Sequence, residues 1–167
     1  MITQEYLKSI LSYDPETGIF IWKISKGRVK ENDIAGNIHK NGYVNIKIDG
    51  LMYRSHRIAW IYIHGNLPNN EIDHINGIKN DNRIINLRQA NHSENQKNCE
   101  KYKTNKSGFK GVSWDKSSNK WTAQAQLNGK KYNLGRFVMV EQAAEAYKDF
   151  AIKHHGDFCN INLIKNT

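Results

Sequence analysis

Four polar side chains within residues 71–98 have the types and spacing of a hydrolytic site. Asp73 and the amide of Asn95 offer hard oxygen donors, which suit a Mg²⁺ ion that keeps several waters and binds a phosphate. His74 follows Asp73 directly, and imidazole is the side chain best suited to take a proton from water near neutral pH. Asn86 is predicted to hold that imidazole through a hydrogen bond. Together these residues predict metal-assisted attack on a phosphodiester.

A strand, a loop, a second strand and a helix are predicted to position these residues. The first strand ends in Asp73 and His74, and the loop that follows is rich in Asn, Asp and Gly. Residues 87–90 predict the second strand, and the polar segment 91–98 predicts the start of a helix. This order is expected to bring the four side chains to one small pocket.

Taken one at a time, the same residues have simpler structural interpretations. An Asp-His pair in a polar loop is commonly a turn with a capping carboxylate, and Asn-rich loops favour Asx hydrogen bonds and left-handed backbone. The joint spacing of the four residues is what favours the catalytic interpretation. His92, one helical turn before Asn95, is an alternative metal ligand.

The positive charge is concentrated in the last third of the chain. The 167 residues carry 25 Lys and Arg against 16 Asp and Glu, a formal charge of +9. Residues 1–100 hold 13 basic and 11 acidic side chains, whereas residues 101–167 hold 12 basic and 5 acidic ones. A basic segment of this kind is expected of a domain that binds nucleic acid.

Cysteine usage and hydropathy predict a cytoplasmic protein with no membrane partner. Cys99 and Cys159 form no C-x-x-C pair, which argues against a cysteine-based zinc site. The two cysteines could form one disulfide or stay as two free thiols, and a reducing cytoplasm favours the thiols. The N-terminus has no signal-peptide pattern, and no window approaches the roughly 18 apolar residues that cross a bilayer.

The first 65 residues predict a small sheet and two helices that would carry the site. A helix is predicted over 3–12, a strand over 18–24, and a hairpin around Asp49-Gly50. A second helix is predicted over 55–63. Its His56 has two interpretations, a phosphate contact or, preferred, a buried and hydrogen-bonded side chain.

The last third predicts a three-stranded sheet covered by one helix. Strands are expected over 109–114, 120–127 and 131–137, with Asn128-Gly129 as a hairpin turn. The helix, over 140–155, has apolar residues at helical spacing that would cover one face of the sheet. The other face keeps Lys, Thr, Gln and Asn, which can read base edges, and a three-stranded sheet has the width of a major groove.

The first part of the chain resembles the HNH nucleases of phage and intron homing endonucleases. The resemblance extends over 3–98, and the motif lies in four segments: IDHING (72–77), NDNR (80–83), NLR (86–88) and SENQ (93–96). That family folds the motif as two strands and a helix around one metal. The resemblance implies His74 as general base, Asn86 as its orienting residue, and Asp73 and Asn95 as ligands of Mg²⁺ or another divalent cation such as Mn²⁺. Asn95 stands where the family usually has His, which defines an H-N-N variant with fewer nitrogen donors.

The last third resembles an AP2 DNA-binding domain, which phage HNH nucleases commonly carry at the C-terminus. The resemblance lies in SGFKGVSW (107–114), the Lys120-Trp121 pair, NGKK (128–131), LGRF (134–137) and AAEAY (143–147). It implies DNA-facing side chains at Lys110, Trp114, Lys116, Gln124, Gln126, Lys131, Asn133 and Arg136. Several arginines of the plant-type sheet are Ser, Gln or Lys here, and Met139 replaces the usual Ser or Thr helix cap.

These observations predict an α+β protein with two domains. A ββα-metal (HNH) nuclease domain, 1–98 with its motif at 71–98, is expected to stand on the small N-terminal sheet and helix platform. A basic linker, 99–106, would lead to an AP2-like domain of three antiparallel strands and one helix, 107–163.

The predicted function is metal-dependent cleavage of double-stranded DNA, by nicking or by a double-strand break, in the cytoplasm of the host cell if a phage encodes the protein. A monomer is favoured over a dimer, and no protein partner is evident. The alternative is a non-catalytic AP2-type DNA-binding regulator with a vestigial HNH motif. A third interpretation, an RNA-binding accessory protein, is disfavoured because the exposed face lacks aromatic stacking pairs.

Overall fold

The computed structural model describes residues 2–98 and 105–159. Its internal contacts divide the chain into two compact units, with the boundary between Ala90 and Asn91. The predicted domain limits, 1–98 and 107–163, stay predictions, and most of the predicted linker 99–106 lies outside the described residues. Among the described residues, no helix is both long enough and apolar enough to cross a bilayer.

The first unit begins with a helix that runs directly into a hairpin. Its elements are α1 (Gln4–Ile10), β1 (Leu11–Asp14) and β2 (Ile19–Trp22). Thr3 caps α1, because its Oγ1 accepts a hydrogen bond of 3.2 Å from the backbone N–H of Tyr6. The helix predicted over 3–12 ends earlier, since Leu11 and Tyr13 are the alternate buried residues of a strand that pairs antiparallel with β2.

A three-stranded antiparallel sheet and a second helix complete the platform. The elements are β3 (Asn37–Ile38), β4 (Val44–Ile48), β5 (Leu51–Arg54) and α2 (Ser55–His64). Asp49 and Gly50 have φ of 47° and 83°, as a type I′ turn requires, so the predicted hairpin is confirmed. Gly65 ends α2 in the left-handed conformation at φ 87°.

One apolar core holds these elements together. It draws fully buried side chains from both helices and both sheets: Leu7, Leu11, Phe20, Ile46 and Ile58. Each contributes about 2 kcal/mol through the apolar area that it removes from water. Leu87, from the segment that carries the predicted site, belongs to the same core, so the platform and that segment pack together.

The strand, loop, strand and helix order predicted for residues 71–98 is confirmed. The elements are β6 (Glu71–His74), a 3₁₀ turn (Ile84–Asn86), β7 (Leu87–Ala90) and α3 (His92–Asn98). Asn91 and Glu94 cap α3 reciprocally: Oδ1 of Asn91 accepts from the Glu94 N–H at 2.9 Å, and Oε2 of Glu94 accepts from the Asn91 N–H at 2.8 Å. By its contacts α3 belongs to the second unit.

The second unit contains the predicted sheet and covering helix. The elements are β8 (Val112–Asp115), β9 (Lys120–Leu127), β10 (Lys130–Phe137) and α4 (Val140–His155), and the strand order is β10-β9-β8. Ala123 and Ala125 of β9 pack against α4, whose facing residues include Ala143 and Ala151. Small side chains on both surfaces let the helix lie close to the sheet. Cys159, which follows α4, is a free thiol.

Replacing Gly111 tests this close packing. Gly111 has φ +72°, and a Cβ there would lie 2.1 Å from the Tyr147 ring and 2.6 Å from the carbonyl oxygen of Gln124. We expect Gly111→Ala to lower the free energy of unfolding by about 3 kcal/mol, because backbone strain and overpacking add. Urea unfolding measures this loss.

Gly129→Ala is the matched control. Gly129 has φ +77°, and a Cβ there meets nothing within 4 Å in the part of the chain that the structure describes. Gly129→Ala should lower the free energy of unfolding only by the strain of the left-handed backbone, about 1 kcal/mol. Equal losses for the two variants would contradict the packing explanation.

Candidate functional site

His74 lies at the end of β6, in a buried environment. Its side chain is 5% exposed, and its ring centre lies 5.0 Å from that of His56 and 5.9 Å from that of Tyr43. Its Nε2 lies 3.4 Å from Oδ1 of Asn82, a long hydrogen bond. Burial lowers the pKa of His74, so the imidazole is neutral near pH 7.

Asp73, the neighbouring residue, is buried against a cation. It is 5% exposed, and Arg88 stands directly opposite it on β7. Nε of Arg88 donates to Oδ2 of Asp73 at 2.9 Å, and Nη2 of Arg88 lies 2.8 Å from the same oxygen in an ion pair. Successive residues of a strand direct their side chains to opposite faces, so Asp73 and His74 have separate neighbours. The sequence analysis assigned no role to Arg88.

Asn86 is bonded to the loop that joins β6 and β7. Its Oδ1 accepts from the backbone N–H of Asn76 at 3.0 Å, and its Nδ2 donates to the carbonyl of Asp81 at 2.8 Å. Both ends of the amide therefore hold the loop backbone. The direct contact between Asn86 and His74 stays a prediction.

Asn82 is the residue that the sequence analysis missed beside His74. It is 2% exposed, its Oδ1 faces the imidazole, and its Nδ2 donates to the carbonyl of Asn80 at 3.2 Å. It belongs to the NDNR segment that carries the family resemblance, which is the only signal that pointed to it. Its burial could not be read from a loop so rich in asparagine.

Asn95, the second predicted metal ligand, lies on α3 in the second unit. Asp73 lies in the first unit, so joint binding of one ion by Asp73 and Asn95 stays a prediction. Among the described residues, no group of three or more His, Cys, Asp or Glu side chains could hold a metal ion. The donor set nonetheless fits Mg²⁺, because a carboxylate and an amide oxygen suit a hard cation that keeps most of its waters.

Two cations lie on the aromatic ring beside His74. The guanidinium carbon of Arg54 lies 4.5 Å from the ring centre of Tyr43, and Nζ of Lys79 lies 5.4 Å from it. Tyr43 in turn contacts His56, with 5.4 Å between ring centres. Positive charge at this edge of the site suits a phosphate backbone. The sequence analysis assigned no role to Tyr43 or Arg54.

Five of the eight predicted DNA-facing side chains lie together on one face of the second sheet. In the register of β9 and β10, Gln126 opposes Lys131, Gln124 opposes Asn133, and Thr122 opposes Arg136. Directly opposed residues of antiparallel strands share a face, so the polar side chains form one exposed surface. This surface, called the polar face below, consists of Gln124, Gln126, Lys131, Asn133 and Arg136.

Trp114 lies on the other side of the sheet. It opposes Trp121 in register, their ring centres are 5.0 Å apart, and Trp121 packs with the residues that α4 covers. Trp114 therefore does not share the polar face, and its contact with DNA stays a prediction. Ser113 is the β8 residue that shares the polar face: it opposes Thr122, with 3.1 Å between the two hydroxyl oxygens.

Lys110 and Lys116 lie outside the strands. Nζ of Lys110 donates to the carbonyl of Lys97 at 2.8 Å, where it satisfies one of the last carbonyls of α3. Lys116 is exposed in the turn between β8 and β9. Contacts of either residue with DNA stay predictions.

Residues 53–97 match the HNH endonuclease family, and residues 107–156 match the AP2 domain. With the strand, loop, strand and helix order of one segment and the sheet-plus-helix of the other, the chain belongs to the HNH endonuclease family and carries a C-terminal AP2 domain. It is similar to Protein 3.8 of Escherichia phage T7, with 34% identity over 109 residues, which are 65% of this chain and 89% of that protein. No solved structure gives a significant match.

The burial of His56 predicts acid sensitivity of the fold. Burial, and then the nearby side chains of His74, Arg57 and Arg54, lower the pKa of His56 from 6.5 to about 3. Below pH 6.5 the unfolded chain binds a proton at this residue and the folded chain does not, so stability falls with pH. Between pH 7 and pH 5, we expect the free energy of unfolding of His56→Phe to fall by about 1–2 kcal/mol less than that of the wild type.

Urea unfolding at both pH values measures this difference. His39→Phe, at an exposed histidine, should keep the wild-type pH dependence. A His56→Phe variant as acid-sensitive as the wild type would show that His56 takes up its proton in the folded state.

Proposed function

We propose that the protein is a divalent-metal-dependent DNA endonuclease, in which the HNH segment hydrolyses phosphodiester bonds and the AP2 sheet binds the duplex. One observation carries this proposal. His74, inside the segment that matches the HNH family, is 5% exposed and has its pKa lowered by burial. It is therefore unprotonated at neutral pH and able to accept a proton from an attacking water.

Asn82 supports this role by its hydrogen-bonding chemistry. An amide oxygen accepts and does not donate, so Oδ1 of Asn82 favours the His74 tautomer that keeps its proton on Nε2. Nδ1 is then the basic nitrogen. The same oxygen would stabilise the imidazolium that forms when His74 takes the proton from water.

Asp73 and Asn95 would hold the divalent cation, Mg²⁺ or Mn²⁺. When bound, such an ion neutralises the negative charge that develops on the phosphate and on the leaving oxygen. Arg88 fixes the carboxylate of Asp73 through Oδ2. Arg54 and Lys79, on the ring of Tyr43, would hold neighbouring phosphates of the same strand.

The polar face of the AP2 sheet is proposed to enter the major groove of double-stranded DNA. Lys131 and Arg136 supply positive charge there, and Gln124 supplies an amide that can read a base edge. The contacts of the sheet would select the DNA target sequence, and the HNH segment would cut the DNA backbone.

Nicking by a monomer is proposed first and double-strand cleavage by a dimer second, because one imidazole acts on one strand at a time. Similarity to a protein of phage T7 supports a phage origin and action on DNA in the host cytoplasm. A homing role rests on the likeness of the motif to phage and intron homing nucleases.

A non-catalytic DNA-binding regulator is the second candidate. The observation that favours it is the ion pair of Asp73 with Arg88, which already neutralises the predicted metal-binding carboxylate. In that case the HNH segment would serve only as scaffold, and the AP2 sheet would carry the whole function.

Relaxation of supercoiled plasmid in the presence of Mg²⁺ separates the two candidates. We expect the wild type to produce open circles, and His74→Ala to be about 10²–10⁴-fold slower because the general base is missing. Asp73→Ala should be similarly impaired. His64→Ala, at an exposed histidine of α2, is the control and should cut at the wild-type rate. Binding of DNA without relaxation by any of these proteins would favour the regulator.

Variants of the polar face test the division of labour between the two units. Gln124→Ala combined with Lys131→Ala should weaken the preference for a target site and reduce the slope of log affinity against log salt by about 1. Slow, indiscriminate nicking should remain, because the HNH segment is intact. Lys153→Ala is the control: it removes one lysine charge at an exposed position of α4 and should leave the preference for a target site unchanged.

The rate of cleavage at saturating protein is the decisive measurement for the Gln124→Ala and Lys131→Ala double variant. If the doubly substituted protein loses the cutting step itself under saturation, the assignment of cutting to one unit and reading to the other is wrong.

A further inference from the structure

The predicted DNA-facing side chains differ in whether their polar atoms already make hydrogen bonds or ion pairs within the protein. Oδ1 of Asn133 accepts from the N–H of Gly135 at 3.2 Å, at the bulge in β10. Nε of Arg136 lies 3.6 Å from Oδ2 of Asp115. Lys110 is bonded to α3, and Trp114 lies on the other side of the sheet. Few of these groups keep their full hydrogen-bonding capacity for a ligand.

Gln124 is the amide that keeps both ends available. Within residues 2–98 and 105–159, its side-chain oxygen and nitrogen make no hydrogen bond, and the residue is exposed. Gln126, two residues on, has a marginal bond of 3.5 Å from Nε2 to the carbonyl of Gly129. An amide with a vacant donor and a vacant acceptor can make a bidentate contact, whereas an engaged amide makes a single one.

The backbone of Gln124 is held at the centre of the sheet. It lies on β9, the middle strand of the sheet, where its N–H donates to the carbonyl of Gly111 at 2.8 Å. Ala123 and Ala125 on either side are buried under α4. The side chain borders a groove of about 790 Å³ that Lys110 and Asn95 also line, so it faces open space.

A glutamine with a free donor and a free acceptor matches one base edge in the major groove. Adenine presents the N7 acceptor and the N6 amine donor side by side, and Gln pairs with both at once. Guanine presents two acceptors, which suit the cationic Lys and Arg side chains instead. The charge next to Gln124 is carried by Lys131, whose neighbouring strand position would reach a phosphate or a different base pair.

We propose that Gln124 is the specificity-determining residue of the AP2 sheet and that it reads one adenine of the target through N6 and N7. This inference rests on the proposed DNA-binding function. It adds the base that is recognised and the single side chain that recognises it. The remaining polar residues of the face then position the sheet on the duplex.

The test uses the full chain with His74→Ala, which is expected to bind without cutting, and a duplex selected from a randomised pool by that protein. Each adenine of the duplex is replaced in turn by 7-deazaadenine, which keeps Watson–Crick pairing and lacks N7. We expect one position to weaken binding about 5- to 100-fold. When the protein also carries Gln124→Ala, 7-deazaadenine at the same position should not weaken binding any further.

Two more variants sharpen the result. Gln142→Ala, at an exposed glutamine of α4, is the amide control and should keep the full effect of 7-deazaadenine. Gln124→Glu replaces the amide by a group that only accepts, so the preferred base at that position should change from adenine to cytosine. Both substitutions lie at exposed positions and leave the core untouched.

The outcomes separate the inference from the function on which it rests. If the chain binds the duplex but no adenine position couples to Gln124, the adenine contact is wrong while DNA binding stands. If 7-deazaguanine at one position couples to Gln124 instead, the base assignment is wrong. If the chain binds no duplex at any salt concentration, the proposed function fails and the inference fails with it.

Discussion

The hydrogen bonding of a buried polar loop is the constraint on which the HNH site depends. A buried polar atom without a partner costs about 1–3 kcal/mol, so the loop between β6 and β7 must pair its own amides. Asn82 and Asn86 do so with loop backbone. The Tyr13 hydroxyl donates to the Asn82 carbonyl at 2.7 Å, and a Cβ on Gly18 would lie 2.4 Å from the Arg83 nitrogen. The N-terminal hairpin thus packs directly on the loop and holds the surroundings of His74.

The two units use polar residues in opposite ways. In the first unit the polar groups of the predicted site are buried: burial lowers the pKa of His74, and Asp73 is paired with Arg88. In the second unit polar side chains such as Gln124 are exposed on one face of the sheet. Burial suits proton transfer, because it fixes protonation and orientation, whereas exposure suits recognition, because donors and acceptors remain available.

Local sequence rules predicted most of the fold, and they predicted less of the site. Alternation and hairpin turns placed β9, β10 and the Asp49-Gly50 turn, because these depend on neighbouring residues. The pairing of Asp73 with Arg88 and the contact of Asn82 with His74 depend on strand register and on loop burial, which no local pattern contains. The face on which Trp114 lies was not predicted for the same reason: it follows from its pairing with Trp121 across the sheet.

Arg88 pairs with Asp73 inside the fold, so the negative charge of the predicted metal-binding carboxylate is already neutralised. Many acidic metal centres attract DNA only after the cation has arrived, since carboxylates and phosphates are both negative. Here Arg54 and Lys79 place positive charge on the ring of Tyr43, beside His74. Under the proposed function, a duplex would therefore dock first and the divalent ion would bind afterwards. Such an order would let the metal-free protein search along DNA and cut only where the AP2 sheet holds it.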